Sequence, residues 1–573
     1  MLFSTLILGA CVTLVLGTKP KHQPPAEPCR TSQPTATIDI GVLHGTQTSL
    51  SYANAPVNKF LGVPYAQSPP IRFSPPSAPK KLARGSPLNV TAWKPACIQQ
   101  FVYPALQQAF TKGVFNQPPP QESEDCLYIN IYAPSTPSPA GGRAVLFWLF
   151  GGGLQFGHGG QPAYDGSAFA AYQDVIVVTF NYRTNVFGFP NSPQITGGDS
   201  NPGFLDQHFA LEWVQRNIHA FGGNKDKVTI FGESAGALSA DSLITSPAYV
   251  NKGAAPFRAA ILQSGQFSYN SQPLPTQSES VVGWDTLVQK LNCSSSHSGD
   301  DLACARAAPA LTIKKIVEEN ALSFATRPDS FTSVDNSALA RQSGKFVKVP
   351  VLGGTDAQEG RVFEFGQSNL TSYLQSTFGK TAPQIIPSLQ KAFAVGTEAG
   401  INTGYDRISE IFTLLTFQCG QALWANATFA QDVPTWRYYY NSSFPNIAFA
   451  DNSGVYHSSE IQTVFETYSG GPIFPITPGQ LGLLNTQKPP TAQQAALSSY
   501  MNAAWATFAK NPFAGPGWNR LGSFNGTDLG VLGGAMGQAG VTVIRQDQVD
   551  NKCRLLLPQF NAANPGVALP TKV

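Results

Sequence analysis

Val228-Thr229-Ile230-Phe231-Gly232-Glu233-Ser234-Ala235-Gly236-Ala237-Leu238-Ser239-Ala240 passes from an apolar, partly β-branched stretch through a Gly-x-Ser-x-Gly pentapeptide into a run of small residues. The pattern predicts a strand that turns abruptly into a helix with Ser234 at the corner. Glycines at 232 and 236 suit so tight a turn, because a larger side chain two positions from the serine collides with the neighbouring elements. The pentapeptide alone is short enough to arise by chance. The strand before it and the helix after it supply the missing context, and Ser234 becomes the candidate nucleophile of an α/β chain.

The chain has 573 residues, a formal net charge of +3 and only 12% charged residues. Its length would allow several domains, but no Ser/Gly-rich or charged linker divides it and no internal repeat is visible, so residues 18–573 read as one large domain. Leu2 to Leu16 is almost wholly apolar and gives way to Gly17 and then to polar Thr18-Lys19-Pro20. This predicts a secretory signal over residues 1–17 and a mature chain beginning at Thr18. The run is short for a bilayer span, and no other segment reads as a membrane anchor. With no basic stripe, nucleic acid and polybasic membrane binding are excluded as partner classes, leaving neutral or weakly polar small molecules. The oligomeric state is not legible.

Six Asn-x-Ser/Thr sequons, at Asn89, Asn292, Asn369, Asn426, Asn441 and Asn525, fit a secreted glycoprotein and predict surface positions. Of eight cysteines, Cys11 leaves with the signal, so Cys29, Cys97, Cys126, Cys293, Cys304, Cys419 and Cys553 remain and one lacks an intrachain partner. In an oxidising compartment disulfides outrank metal binding, and neither Cys-x-x-Cys nor His-Glu-x-x-His spacing is present, so no metal is expected. No cofactor is expected either.

A serine hydroxyl needs a base to take its proton and a carboxylate to orient that base. When the serine sits on an elbow of this kind, the chain order is serine, acid, histidine. Of the seven histidines, only His297 and His457 follow Ser234 far enough along. His297 lies in Cys293-Ser294-Ser295-Ser296-His297-Ser298-Gly299, beside a sequon, and reads as solvated surface. His457 lies in Ser453-Gly454-Val455-Tyr456-His457-Ser458-Ser459-Glu460-Ile461, a loop entering a helix that starts near Ile461, and is the candidate base. For the acid, Val347 to Leu352 reads as a buried parallel strand followed by a loop from Gly353 to Gly360. Asp356 and Glu359 on that loop both qualify, since such sheets place their chemistry at strand C-terminal ends. The competing reading of either is a solvated carboxylate. Ala144 to Phe150 reads as another buried strand, and Gly151-Gly152-Gly153 after it lets the main chain approach a ligand. The N–H groups of Gly152, Gly153 and Ala235 are the candidate oxyanion donors. A phosphate-cradling loop is excluded because neither Gly-x-Gly-x-x-Gly nor a Gly-Lys-Ser/Thr ending occurs there.

Together with Phe60-Leu61-Gly62-Val63-Pro64-Tyr65-Ala66, Ser123-Glu124-Asp125-Cys126-Leu127-Tyr128-Ile129-Asn130 and Asn181-Tyr182-Arg183, these motifs resemble the type-B carboxylesterase family over nearly the whole mature chain. That family includes cholinesterases and secreted fungal esterases and lipases. The resemblance implies an α/β-hydrolase fold: a large central, mostly parallel mixed sheet flanked by helices, with extended loop excursions. It implies Ser234 as nucleophile, His457 as base and Glu359, in preference to Asp356, as acid, with two-step ester hydrolysis through an acyl-enzyme. It further implies disulfides Cys97–Cys126, Cys293–Cys304 and Cys419–Cys553 with Cys29 left over, structural ion pairs Arg72–Glu124 and Arg183–Asp206, and Ser264 hydrogen-bonded to the acid. Glu233 beside the nucleophile reads as a structural position bonded to its neighbours.

Two departures from the family stand out. Phe150 replaces the histidine or tyrosine that many relatives carry before the glycine loop, removing polar support from that side. No tryptophan lies between Asn116 and Asp125 to hold a quaternary ammonium group, so choline esters are disfavoured. Between Cys97 and Cys126, Ile98, Phe101, Val102, Leu106, Ala109, Phe110, Val114 and Phe115 recur with roughly helical spacing. The segment reads either as an interfacial lid, which would make the protein a triacylglycerol lipase or sterol esterase, or as a helix packed on the core. A non-catalytic, cholinesterase-like binding protein is the rival class.

Overall fold

The computed structural model describes residues 33–573 apart from 102–103, 272–280, 294–299, 380–381, 397–399, 471–487, 524–525, 535–538 and 570–573. The signal segment, Cys29, His297, Val102 and Asn525 therefore lie outside the described residues, as does the side chain of Leu106.

Among the described residues, eleven strands pair into one sheet in the spatial order Val541–Arg545, Thr527–Gly533, Thr435–Asn441, Val351–Asp356, Ala259–Gln263, Gly223–Glu233, Arg143–Leu149, Ile176–Phe180, Tyr128–Pro134, Val57–Pro64 and Thr46–Thr48. The run from Thr527–Gly533 to Ile176–Phe180 is parallel throughout, and antiparallel strands finish both sides. The central strands are mostly apolar, as parallel strands covered on both faces tend to be: every residue of Arg143–Leu149, Ile176–Phe180 and Ala259–Gln263 is buried. A three-stranded sheet formed by Thr35–Ile38, Gly41–His44 and Leu88–Asn89 stands apart from the main one.

The elbow falls where the sequence places it, between the strand Gly223–Glu233 and the helix Ala235–Thr245. The strand expected over 347–352 begins later, at Val351, and runs on through Gly353, Gly354 and Thr355 to Asp356. A Cβ at Gly354 would crowd the Tyr438 ring on the adjacent strand, so these glycines serve close packing inside the sheet instead of a loop. Asp356 and Glu359 are accordingly both fully buried, and neither is a solvated carboxylate.

Disulfides join Cys97 to Cys126, Cys293 to Cys304 and Cys419 to Cys553. Arg72 pairs with Glu124 through two hydrogen bonds of 2.7 and 2.5 Å, and Arg183 grips the fully buried Asp206 at 2.8 and 2.7 Å. Of the sequon asparagines, Asn89, Asn292 and Asn369 are exposed, whereas Asn426 and Asn441 are half-buried on a helix and at a strand end. No described helix is long and apolar enough to cross a membrane.

Directly behind the elbow, Asp241 organises a buried polar junction. Its Oδ2 accepts from the Phe267 and Ser268 N–H groups at 3.0 and 2.7 Å and from Ser268 Oγ at 2.8 Å. Its Oδ1 accepts from Trp424 Nε1 at 2.9 Å and pairs with the Arg341 guanidinium, which also donates to Thr428 Oγ1 at 2.7 Å. Both charged groups are inaccessible to solvent. Removing one partner of such a pair strands the other in a dry interior. Asp241→Ala should lower stability by about 3–5 kcal/mol, measured as a fall in the thermal unfolding midpoint, with Arg341 and two main-chain donors left unsatisfied.

Candidate active site

Ser234 sits at the elbow with φ 56° and ψ −123°, a strained conformation for a non-glycine residue. Two contacts hold it there. Its N–H donates to the Gln263 carbonyl at 2.9 Å, and the next helical turn presses on the neighbouring strand so closely that a Cβ at Gly236 would overlap the Leu149 carbonyl. The serine side chain is left half-exposed towards a cavity of about 750 Å³.

His457 and Glu359 reach the same place from later strand ends. Glu359 follows the strand Val351–Asp356, and its Oε1 accepts the Asp356 N–H at 2.8 Å. Its Oε2 lies 2.6 Å from His457 Nδ1. The imidazole is buried, and Nε2 faces Glu233 Oε1 at 3.0 Å. The structure thus joins His457 to Glu359 directly; His457 lines the cavity together with Ser234, and Glu359 is buried behind it. In this arrangement Nε2 lies 3.0 Å from the carboxyl of the residue immediately before the serine. Glu233 also accepts from Ser458 Oγ at 2.6 Å, which fulfils the reading of it as a bonded neighbour and adds the histidine as its partner.

Burial raises the Glu233 carboxyl to about 8, with Glu460 and Glu359 adding to the rise and His457 and Ser458 opposing it. Burial alone would lower the His457 imidazole, but Glu233 and Glu359 overcome it and hold the ring at about 9. A proton is therefore retained between Glu233 and His457 at neutral pH. Releasing it frees Nε2 to serve a nucleophile.

The glycine loop follows the strand Arg143–Leu149. Gly152 and Gly153 adopt φ of 107° and 62°, the left-handed region that glycine enters freely, and a Cβ on Gly153 would meet nothing within 4 Å. Ala235 is the first residue of its helix, where the N–H has no intrahelical acceptor. Phe150, in place of a polar residue, stacks on Tyr182 with ring centroids 4.1 Å apart, and the Tyr182 hydroxyl donates to the Phe150 carbonyl at 2.7 Å. Support for the loop thus comes from the next strand.

Ser264 does not reach the acid. Its Oγ is buried without a partner among the described residues, its N–H is spent on the Gly354 carbonyl, and Glu359 Oε1 is already taken by the main chain of Asp356.

Several residues at the site carried no local signal in the sequence. Phe363 and Phe417 pack against the His457 ring at 5.0 and 4.5 Å, and Phe412 completes the group 5.1 Å from Phe363. Phe417 is presented by a π-helical turn, Thr413–Gln418, a deviation often found at functional sites. The helix Ala105–Phe115 covers the cavity, and its Phe110, Val114 and Phe115 rest on a small cluster of Val362, Phe449, Ala450 and Tyr456 separate from the main core. Gln161 Nε2 donates to the Phe115 carbonyl at 2.8 Å and ties down the helix end. The helix thus packs on this satellite apolar cluster, and not on the main one. No lysine or arginine lines the cavity among the described residues; Glu233 and His457 are its ionisable groups apart from tyrosines.

A serine on a strand-to-helix corner, a main-chain donor loop at the end of a neighbouring strand and a His–Glu pair on later strand ends, all on a largely parallel sheet, define an α/β-hydrolase. The sequence pattern of the carboxylesterase family matches residues 32–525. The chain belongs to that family and is a carboxylic ester hydrolase acting on small-molecule esters. It is 32% identical to Secreted lipase 1 of Botryotinia fuckeliana, an alignment covering 76% of this chain and 81% of the relative. It is 31% identical to para-nitrobenzyl esterase of Bacillus subtilis over 79% of this chain and 86% of the relative. A solved PNB esterase superposes with a TM-score of 0.68 at 26% identity, covering 92% of this chain and all of the esterase.

Gly236→Ala should abolish recovery of folded protein, because the added methyl has only backbone to displace. Soluble yield and circular dichroism check this. Gly153→Ala should fold and lose activity chiefly through the strained loop.

Proposed function

We propose that the protein is a secreted serine carboxylesterase in which Ser234, His457 and Glu359 form a catalytic triad working through an acyl-enzyme, with Gly152, Gly153 and Ala235 donating to the oxyanion. The observation that carries this reading is the 2.6 Å contact of His457 Nδ1 with Glu359 Oε2 at the wall of the cavity that Ser234 also lines. Glu359 fixes the tautomer and orientation of the imidazole. As an ester enters, Nε2 moves away from Glu233, leaving the proton between them on the Glu233 carboxyl, takes the Ser234 proton and later gives it to the departing alcohol, and water repeats the cycle on the acyl-enzyme. The donor loop is aligned before the reaction, where such groups act most strongly. A cavity without lysine or arginine favours neutral esters, and three disulfides with exposed sequons at Asn89, Asn292 and Asn369 support secretion.

A second reading, a lid-gated lipase, is favoured by one observation. The helix Ala105–Phe115 closes the cavity with its own apolar cluster instead of the main core, so it can lift without opening the domain. Activity that rises with acyl length and jumps at an oil–water interface would establish this reading. A short-acyl optimum with no interfacial jump would leave the carboxylesterase alone.

Ser234→Ala should fold as the parent does, lose labelling by a fluorophosphonate probe and lose kcat on an aryl ester by roughly 10⁵- to 10⁶-fold. Retained turnover would overturn the triad. Glu233→Gln removes a carboxylate that holds the imidazole pKa up, so the rising limb of kcat/KM against pH should move to lower pH by roughly one unit. A limb that stays in place or moves upward would show that Glu233 does not govern His457.

A further inference from the structure

Behind the His457–Glu359 pair lie two more carboxyls, Asp356 and Glu460, both fully buried. Asp356 Oδ2 accepts from Ser459 Oγ at 3.2 Å, and Glu460 Oε1 accepts from Gln263 Nε2 at 2.9 Å. The Gln263 amide cannot turn round, because its Oε1 is held by Trp505 Nε1 at 2.9 Å. The remaining oxygens, Asp356 Oδ1 and Glu460 Oε2, have no N–H or hydroxyl donor although both are shut off from solvent. The two side chains are in hydrogen-bond contact with each other. Two carboxylate oxygens cannot share such a contact without a proton between them.

The surroundings offer no other neutralising charge. Among the described residues, no lysine or arginine pairs with Asp356, Glu359, Glu460 or Glu233, and His457 is the one basic group bonded to any of the four. The other titratable groups facing the four carboxyls are the buried hydroxyls of Tyr164, Tyr182, Tyr438, Tyr439, Tyr440 and Tyr456, all held neutral by burial. Four anions around one imidazole would carry a large uncompensated charge in a dry interior.

We propose that Asp356 and Glu460 share one proton, carried on Asp356 Oδ1 and donated to Glu460 Oε2, and that this pair, with a single negative charge, is the positioning element behind the catalytic His–Glu couple. Burial, reinforced by Glu460 and Glu359, raises the Asp356 carboxyl well above its ordinary range, which agrees with the geometry. The pair locks three elements together. Asp356 gives its main-chain N–H to Glu359, Glu460 follows His457 in the same segment, and Gln263 joins Glu460 to the carbonyl that fixes the Ser234 N–H. This role rests on the triad proposed above; the shared proton itself does not.

A double-mutant cycle read by pH profile tests it. In Asp356→Asn the amide donates to Glu460, and in Glu460→Gln the amide donates to an ionised Asp356, so each single variant keeps one negative charge. Each should leave the rising limb of kcat/KM within roughly 0.2 units of the parent, whereas the double variant should move it down by roughly half a unit. Two singles that each shift the limb down, adding in the double, would mean two independent carboxylates and overturn the proposal. A double variant with no shift would mean two neutral acids and overturn it equally. Infrared spectroscopy gives a readout that needs no turnover. In a Glu233→Gln background, which removes the other raised carboxyl of the site, a buried neutral-carboxyl C=O band should be present, should remain when Ser234→Ala is added and should vanish when Asp356→Asn is added; its persistence in Glu233→Gln/Asp356→Asn would refute the shared proton. Should Ser234→Ala retain turnover, the triad fails while this spectroscopic result still stands on its own.

Discussion

The molecule is organised around the close approach of two backbone segments at the elbow. The helix starting at Ala235 packs against the end of the strand Arg143–Leu149 with nothing but a glycine between them, and that contact sets the distance from Ser234 to the glycine loop leaving the same strand. Ser234 and the glycine loop are therefore placed by main chain, not by side-chain packing. Such positioning is stiff because moving either element means breaking ladder hydrogen bonds of a parallel sheet. The strain at Ser234 is borne by the junction behind it, where Asp241 ties the helix to Ser268, Trp424 and Arg341.

On this rigid frame the chemistry is governed by charge economy. Among the described residues the interior of the site holds several acids and one histidine, and no lysine or arginine lines the cavity. Burial raises the acids and keeps protons on some of them, while the imidazole is held basic by the carboxylates on both of its nitrogens. Glu233 thus faces the imidazole beside Ser234 while also accepting from Ser458. Among the described residues no lysine or arginine lines the cavity to balance a further negative charge brought there.

Much of this was legible in the sequence because it depends on short-range constraints. A tight turn demands glycines at 232 and 236, a buried parallel strand demands an unbroken apolar run, and a loop histidine leading into a helix at Ile461 shows itself locally. What was illegible depends on contacts between distant segments. Gly353 and Gly354 look like a loop, yet they belong to a strand in which Trp424 and Gln421 of the helix Cys419–Phe429 fill the space beside the first and the Tyr438 ring of the neighbouring strand fills the space beside the second. Asp356 and Glu359 look alike in the chain; the main-chain N–H of the first bonds the second, and this separates their places. Ser264 has the right position in the chain for a bond to the acid, but the acid's free oxygen is already occupied. Nothing in the residues from Thr413 to Gln418 announces a widened helical turn, since helix geometry there answers to what the helix packs against.

That widened turn has an evolutionary consequence. A π-helical turn amounts to one residue added to an α-helix, and taking it out rotates everything beyond it by about 100°. Phe417 would swing off the imidazole, and Trp424 and Thr428 further along the same helix would turn away from Asp241 and Arg341 behind the elbow. The extra residue thus keeps the wall beside His457 and the junction behind Ser234 in one register, and a single-codon deletion there would disturb both at once.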